Sequence, residues 1–188
     1  MNVAFIIFEQ MTALDFIGVY DPLTRLKSMH ILPEFEWDIC AYTKDVTDDR
    51  GLRFFPDKVG ASLSGYDLIV VPGGFGTRAL QFDQGFMDWL KTGQAVKLKV
   101  SVCTGALLLG SAGFLSGKRA TTHPSAFGEL ENYCRVVDLR VVDEGDVVTA
   151  RGVSSSIDLG LFLVERLAGV DARIRISKQM DYPYGFGN

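Results

Sequence analysis

Cys103 is the residue whose type and position offer the clearest route to catalysis. It follows the apolar run Leu98–Val102 and precedes a helical run over residues 105–110. A thiol at such a bend meets the positive end of a helix dipole, which favours the thiolate and predicts a lowered pKa. The tight turn is expected to expose the sulfur, as a nucleophile elbow does. The alternative, that Cys103 is one more small buried hydrophobic residue, stays open at this point.

Asp15 is the candidate proton carrier. It comes shortly after the first apolar run, residues 3–8. Like-charge repulsion and partial burial raise the pKa of a carboxylate near a thiolate, so the two groups could share one proton. Asp15 could equally cap a helix or form a turn, which short polar side chains often do.

Two further segments carry candidate groups. Pro72-Gly73-Gly74 supplies backbone amides free of side-chain bulk, which suits anion or oxyanion binding but also suits any sharp turn. His123 could serve as a base for Cys103, although a lone histidine before a proline is more often a hydrogen-bonded structural residue.

The elements that must position these residues alternate along the chain. Short β-branched runs and stretches of helical periodicity predict strand–helix–strand units around a parallel sheet. We expect strands at residues 3–8, 35–42, 68–71 and 98–102, and a short strand from residue 118. We expect helices at residues 82–90 behind an Asp83 cap, at 21–28 behind Asp21-Pro22, and at 155–168 before Gly169.

The predicted fold is a three-layer α/β sandwich, flavodoxin-like, with helices on both faces of a mostly parallel sheet. A small hairpin is added by the valine-rich residues 135–149, which break at Glu144-Gly145-Asp146. We read residues 1–188 as one domain. Working groups gather at the carboxyl ends of the strands in such sheets. The segments expected at that edge are Asp15, Gly73-Gly74, Cys103-Thr104 and Thr121-Thr122-His123.

Composition excludes several classes of function. The 188 residues are 47% hydrophobic and 22% charged, as in a globular domain, and 19 Lys and Arg against 23 Asp and Glu give a net charge of -4. No basic field is available to attract nucleic acid. The first apolar run is far shorter than the roughly 20 residues that cross a bilayer, and no positively charged segment precedes it. We therefore expect no membrane partner and a cytoplasmic location.

Cysteine and histidine usage disfavours a metal centre and a disulfide framework. Three cysteines and two histidines occur, with no C-x-x-C spacing. Cys40 lies within an alternating strand and Cys134 beside a strand start, so both are interpreted as structural.

Four motifs together resemble the ThiJ/PfpI superfamily, also called the class I glutamine amidotransferase-like group. The resemblance covers nearly the whole chain. Asp15 in the first loop and Thr104 after the cysteine are similar to the isonitrile hydratase branch; protease relatives typically carry His at the second position, and glyoxalase relatives usually carry Glu at the first. The motifs are Leu14-Asp15-Phe16-Ile17-Gly18, Val70-Val71-Pro72-Gly73-Gly74, Val102-Cys103-Thr104-Gly105-Ala106 and residues 115–123.

The resemblance implies a set of roles. Cys103 would be the nucleophile, Asp15 the general acid/base and Thr104 a hydrogen-bonding partner, with the Gly74 and Thr104 amides as the nearest donors to a reacting electrophile. Positions near the pocket would include Gly73, Gly18 and His123. This chain departs from the family pattern beside two of them: many relatives have Gly-Pro where it has Gly18-Val19, and His-Trp where it has His123-Pro124. A homodimer and no metal or organic cofactor are also implied.

The expected activity is cysteine-dependent conversion of an isonitrile, a small molecule, to an N-substituted formamide. Two alternatives remain open. One is a glyoxalase or deglycase acting on small reactive aldehydes with the same thiolate. The other is a non-catalytic redox or ligand sensor, because a thiol at an elbow is prone to oxidation whether or not it turns over substrate.

Overall fold

A seven-stranded sheet forms the centre of the chain in a computed structural model that describes residues 1–183. Residues 184–188, the last part of the expected domain, lie outside the described residues. The strands are β1 (Asn2–Ile7), β2 (Glu36–Ala41), β3 (Val46–Thr47), β4 (Arg53–Phe54), β5 (Lys58–Val59), β6 (Leu68–Val71), β7 (Leu98–Val102), β8 (Arg119–Ala120), β9 (Arg135–Val136), β10 (Val141–Asp143) and β11 (Val147–Ala150). The α-helices are α1 (Ala13–Ser28), α2 (Thr77–Leu80), α3 (Gln84–Lys91), α4 (Gly105–Ser111), α5 (Phe127–Leu130), α6 (Ser155–Ala168) and α7 (Val170–Gln179), and a 3-10 turn spans Pro124–Ala126.

The sheet is parallel except at one edge. Its order is β10-β11-β7-β6-β1-β2-β5, and the antiparallel pair is β10 with β11, which turn at residues 144–146. Strand β11 runs parallel to β7. The four predicted central strands and the added hairpin are confirmed, because apolar runs and turn residues mark them directly in the sequence.

Helices cover both faces of this sheet. Phe5 of β1 packs edge-on against Phe16 of α1, with ring centroids 5.9 Å apart. Phe8, which follows β1 and points to the other side, packs against Phe86 of α3 at 6.1 Å. Side chains alternate along a strand, so the two helices lie on opposite faces. The Asp83 cap of α3 is confirmed, since its side chain accepts a hydrogen bond from the Phe86 amide at 2.8 Å.

The first helix differs from the prediction. Asp21-Pro22 was expected to begin a helix, but α1 begins at Ala13 and Pro22 lies inside it. Proline in a helix interior removes a hydrogen bond, so packing must compensate. At this point α1 crosses α6, where a Cβ at Gly160 would lie only 2.8 Å from Pro22 Cγ. The close contact between the proline ring and Gly160 overrides the local capping signal.

The smaller elements were largely missed. Strands β3 and β4 pair with each other outside the main sheet, and so do β8 and β9. Helix α7 was not predicted. The strand expected from residue 118 is thus only the two residues of β8, which do not join the central sheet. Within the described part of the chain, no helix has the length and apolar character needed to cross a membrane.

Candidate active site

Cys103 occupies a strained bend between β7 and α4. Its φ of 53° lies in the left-handed region, which non-glycine residues rarely adopt and which is typical of a nucleophile elbow. Its amide donates to two carbonyls, Ala150 O at 3.1 Å and Arg151 O at 2.8 Å. Its own carbonyl accepts from Thr122 Oγ1 at 2.7 Å. The bend is therefore held from both sides, which fixes the direction of the sulfur.

Asp15 lies in the first turn of α1 with its carboxyl fully buried. Its Oδ2 accepts a hydrogen bond from the Gly73 amide at 2.9 Å, and the carboxyl is within hydrogen-bonding reach of the Cys103 thiol. No N–H or O–H group of residues 1–183 bonds to the other oxygen, Oδ1, which is also buried. A buried oxygen without a donor is costly for a carboxylate and acceptable for a protonated carboxyl group.

Gly73 brings the two reactive groups together because it has no side chain. A Cβ at position 73 would lie 2.8 Å from Asp15 Oδ2, 2.8 Å from Cys103 Cβ and 2.6 Å from the Thr104 amide nitrogen. Contacts this short exclude any larger residue. Gly73 was expected to bind an oxyanion. In the structure its amide is bonded to Asp15 Oδ2, and its lack of a side chain allows Asp15 and Cys103 to approach each other.

Burial is the main influence on the protonation of both Asp15 and Cys103. Burial, followed by the nearby charge of Asp49, raises the pKa of Asp15 to about 7 against the lowering effect of the Gly73 amide. Burial and the charge of Asp15 raise the pKa of Cys103 to about 12. The expectation of a lowered thiol pKa is wrong, because Cys103 is only 6% exposed and the short helix α4 does not offset the loss of solvation.

Thr104 and Gly74 bond to each other. The Thr104 hydroxyl donates to Gly74 O at 3.1 Å and accepts from the Gly74 amide at 2.9 Å. The Gly74 amide is therefore already engaged, as is that of Gly73. The Thr104 amide and, to a lesser degree, its hydroxyl lower the pKa of Cys103 by favouring the negative charge of the sulfur. The hydroxyl has a single proton, so it acts on the sulfur only when that proton is turned away from Gly74 O.

A pocket of about 240 Å³ opens over Cys103. Cys103 forms part of its wall, so the buried sulfur is reached from this side, whereas Asp15 is not among the lining residues. The pocket is lined by Thr12, Asp49, Arg50, Gly74, Phe75, Arg78, Cys103, Thr104, His123, Ser125 and Val153.

The structure brings the four predicted segments to one edge, but it places Gly18 outside the pocket lining and engages one ring nitrogen of His123. Gly18 lies where α1 crosses α6, with a Cβ there only 2.0 Å from Ser156 Oγ, so it serves helix packing and does not line the pocket. His123 does line the pocket, but its Nδ1 is bonded to Ser125 Oγ at 2.8 Å. That nitrogen is not available as a base for Cys103.

Sequence reasoning missed Asp49. Its side chain is only 7% exposed and lines the pocket, where Oδ2 accepts from Thr12 Oγ1 at 3.2 Å and Oδ1 accepts from Arg50 Nη1 at 2.8 Å. The residue lies in the turn between β3 and β4, whose two-residue strands give no periodic signal. A run of acidic residues in such a turn usually indicates a solvated loop, so nothing in the sequence pointed to it.

No metal centre is placed among residues 1–183, because no group of three or more His, Cys, Asp or Glu side chains is arranged to hold an ion. The groups that the site offers are a thiol, a carboxyl group, a hydroxyl and backbone amides. Together they can add a nucleophile to an electrophilic carbon and move a proton.

Comparisons with known proteins agree on the fold and the family. Residues 1–166 match the DJ-1/PfpI family. An isonitrile hydratase from Pseudomonas putida is 35% identical over 187 residues, 97% of this chain and 78% of that protein. A glutathione-independent glyoxalase DJ-1 from Schizosaccharomyces pombe is 30% identical over 124 residues, 63% of each chain. The crystal structure of a ThiJ/PfpI family protein from Pseudomonas syringae superposes with a TM-score of 0.86 at 27% identity, covering 100% of this chain and 78% of that one.

Proposed function

The chain belongs to the DJ-1/PfpI family, and from that premise we propose that it hydrates an isonitrile to an N-substituted formamide with Cys103 as nucleophile. The observation that carries the proposal is the buried Asp15 carboxyl beside the Cys103 thiol at the base of an open pocket. Such a pair can both activate the sulfur and hold the proton that the substrate carbon must receive. The similarity to an isonitrile hydratase supports the substrate class.

In the first step the sulfur of Cys103 attacks the terminal carbon of the isonitrile. The Asp15 carboxylate accepts the thiol proton as the sulfur–carbon bond forms, and then delivers that proton to the same carbon. One carbon–nitrogen π bond is lost, which leaves an N-substituted thioimidate on the enzyme. With the pKa of Asp15 near 7, about half of the carboxyl groups are ionised and able to act as the base at neutral pH.

In the second step water releases the adduct. The water oxygen bonds to the thioimidate carbon, one water proton goes to the nitrogen, and the remaining hydroxyl proton returns to the sulfur through Asp15 as the carbon–sulfur bond breaks. The product is the formamide, and the sum is isonitrile plus water. The Thr104 amide stabilises negative charge on the sulfur as it leaves.

The test uses the purified protein, n-butyl isonitrile and detection of N-butylformamide by proton NMR. We expect Cys103→Ala to reduce the rate by about a thousandfold or more, and Asp15→Asn by about a hundredfold or more, since each removes a group used in bond making. The matched control is Cys134→Ala, which removes a half-buried thiol near Leu130 and is expected to leave the rate within about twofold. A Cys103→Ala variant as fast as the parent would disprove the proposal.

A glyoxalase is the second candidate, favoured by the Schizosaccharomyces pombe relative. The same thiol would add to the aldehyde carbon of methylglyoxal to form a hemithioacetal. Transfer of the proton on that carbon to the neighbouring carbonyl carbon would give a thioester, which water would hydrolyse to lactate and the free thiol. Incubation of the parent protein with methylglyoxal alone and with n-butyl isonitrile alone distinguishes the two. Turnover of the aldehyde only would reverse the order of the candidates, and turnover of neither would favour the sensor interpretation.

A further inference from the structure

A second cavity meets the active-site pocket at Arg78. It has a volume of about 390 Å³ and shares Arg78 with the pocket that contains Cys103. The ion pair of Arg78 Nη2 with Glu129 Oε1, at 3.4 Å, lies in this shared wall. The cavity is lined by Arg78, Gln81, Phe82, Glu129, Asn132 and Tyr133. The two cavities are therefore neighbours, with the Arg78 side chain in the lining of both.

Two exposed aromatic rings flank this junction. Phe75 lines the first cavity and is 69% exposed, and Phe82 lines the second and is 77% exposed. Their spacing from Arg78, three and four residues, places all three side chains along one face of the helical segment around α2, where Arg78 N bonds to Phe75 O and Phe82 N to Ala79 O. The result is a strip of ring, guanidinium and ring that leads away from Cys103.

The polar groups of the second cavity are largely engaged within the protein. Tyr133 donates its hydroxyl to Gln81 Oε1 at 2.8 Å, and Asn132 Nδ2 donates to Glu129 O at 3.0 Å. The surfaces that remain for a ligand are the face of the Phe82 ring and the planar guanidinium of Arg78. Among residues 1–183, the side-chain partner of this guanidinium is Glu129, at 3.4 Å. Both surfaces pack well against a flat aromatic ring, the first by stacking and the second by a cation–π contact.

We propose that the second cavity is a subsite for an aromatic substituent on the isonitrile nitrogen, an inference that rests on the proposed function. Phe75 and Phe82 are seven positions apart, which corresponds to about 10 to 14 Å along a segment of mixed α and 3-10 geometry. A substituent of about two linked rings has the length needed to extend from the first cavity, which Phe75 lines, to the Phe82 ring in the second. Single-ring and small alkyl substituents fill the first cavity alone.

Binding of the product formamides tests this subsite without requiring turnover. The full chain is titrated by calorimetry with N-phenylformamide and with N-(biphenyl-4-yl)formamide. We expect the two-ring compound to bind about five- to tenfold more tightly, and Phe82→Ser to remove this difference while leaving one-ring binding unchanged, because only the second ring reaches Phe82. Phe82→Tyr keeps the ring and is expected to keep the preference.

Phe55→Ser is the matched control, since Phe55 is 86% exposed and lies on a different cavity, beside β4. It is expected to bind both formamides as the parent does. Equal affinity of the parent for the two compounds, or the same loss in both serine variants, would overturn the subsite. A change of sedimentation behaviour caused by Phe82→Ser alone would also overturn it, by assigning this face to contact between copies of the chain. Failure of the parent to hydrate n-butyl isonitrile with the two-ring preference intact would refute the proposed reaction and leave the subsite standing.

Discussion

A buried ionisable side chain lies at each end of strand β7, and the surroundings of the two side chains differ. Lys99 lies at the amino end, where Nζ donates to Val96 O at 2.6 Å and sits 5.0 Å from the centre of the Phe114 ring. Burial lowers the pKa of Lys99, with Asp146 acting in the opposite direction. Cys103 follows the carboxyl end, on a strained backbone and in the wall of a pocket. It lies beside the Asp15 carboxyl group, one oxygen of which has no hydrogen-bond partner among residues 1–183.

The difference shows that a displaced pKa is not by itself the sign of a reactive site. Both groups have the pKa shifted toward the neutral form by burial. Lys99 has a carbonyl acceptor and an aromatic ring for its charge, so its surroundings are complete. At the other end Asp15 Oδ1 lacks a donor among the described residues, and an open cavity adjoins the sulfur. Incomplete hydrogen bonding next to an accessible cavity is what distinguishes the end that carries the candidate site.

The strongest test of this comparison is the stability of Asp15→Asn. Because the pKa of Asp15 is raised in the folded chain, the stability associated with its proton is present at low pH and is lost as the pH rises through about 7. Replacement by neutral asparagine removes this penalty, so we expect the free energy of unfolding to rise by up to about 4 kcal/mol above pH 7. Urea unfolding at pH 8 measures it.

The pH dependence of this stability gain is a control within the same experiment. The gain is expected to shrink between pH 7 and pH 4, where the parent carboxyl is itself neutral in the folded state. Activity should be lost in the variant while stability increases. A variant no more stable than the parent at pH 8 would contradict a raised pKa for Asp15 and, with it, the contrast between the two ends.

A second prediction sharpens the comparison through the pH dependence of turnover. The proposed reactive form of the Asp15–Cys103 pair holds one proton, on the sulfur. This form is produced when Asp15 ionises, so kcat/KM is expected to rise with pH through about 7. Removing the like charge at Asp49 lowers the pKa of Asp15, and Asp49→Asn should move the rising limb toward acid by about half a pH unit. The titratable groups that act on the pKa of Asp15 are Cys103 and Asp49.

Asp45→Asn is the control for this shift. It removes an exposed carboxylate of the same hairpin region, and the profile should stay where it is in the parent. If both variants moved the profile equally, the effect would reflect the net charge of the surface and not the neighbour in the pocket.

The smallest effect is expected at the amino end of β7. Lys99→Met loses the bond to Val96 O but relieves the cost of a buried ammonium, a cost that is present at neutral pH and declines only as the pH rises toward the ordinary lysine value. The thioether also packs well on the Phe114 ring. We expect the free energy of unfolding to stay within about 1 kcal/mol of the parent and turnover to be unchanged. A loss of turnover would show that this end contributes to the reaction.

The sequence predicts those parts of the fold that repeat a simple pattern. Apolar runs and alternation located β6 and β7, and serine and glycine bounded α6 at both ends. The start of α1 was misplaced because Pro22 is stabilised by contact with Gly160, more than 130 residues away in the chain. Local propensity carries no information about that contact.

Much of the candidate site was accessible for a related reason. In parallel sheets functional groups lie at the carboxyl ends of the strands, and this rule predicts from the sequence alone that Asp15 and Cys103 share one edge. The direction of the pKa shift of Cys103 was wrong because burial depends on how loops close over the sulfur. Asp49 was missed because a short hairpin without periodicity carries it into the pocket.

The amide of Cys103 donates to Ala150 O, at the end of β11, and to Arg151 O, just after it. Strand β11 pairs with β7 on one side and with the edge strand β10, in the hairpin, on the other. Proteins open locally in cooperative units that often coincide with motifs such as a hairpin. Local opening of this hairpin is therefore expected to release the bend that holds the sulfur while the rest of the sheet remains folded.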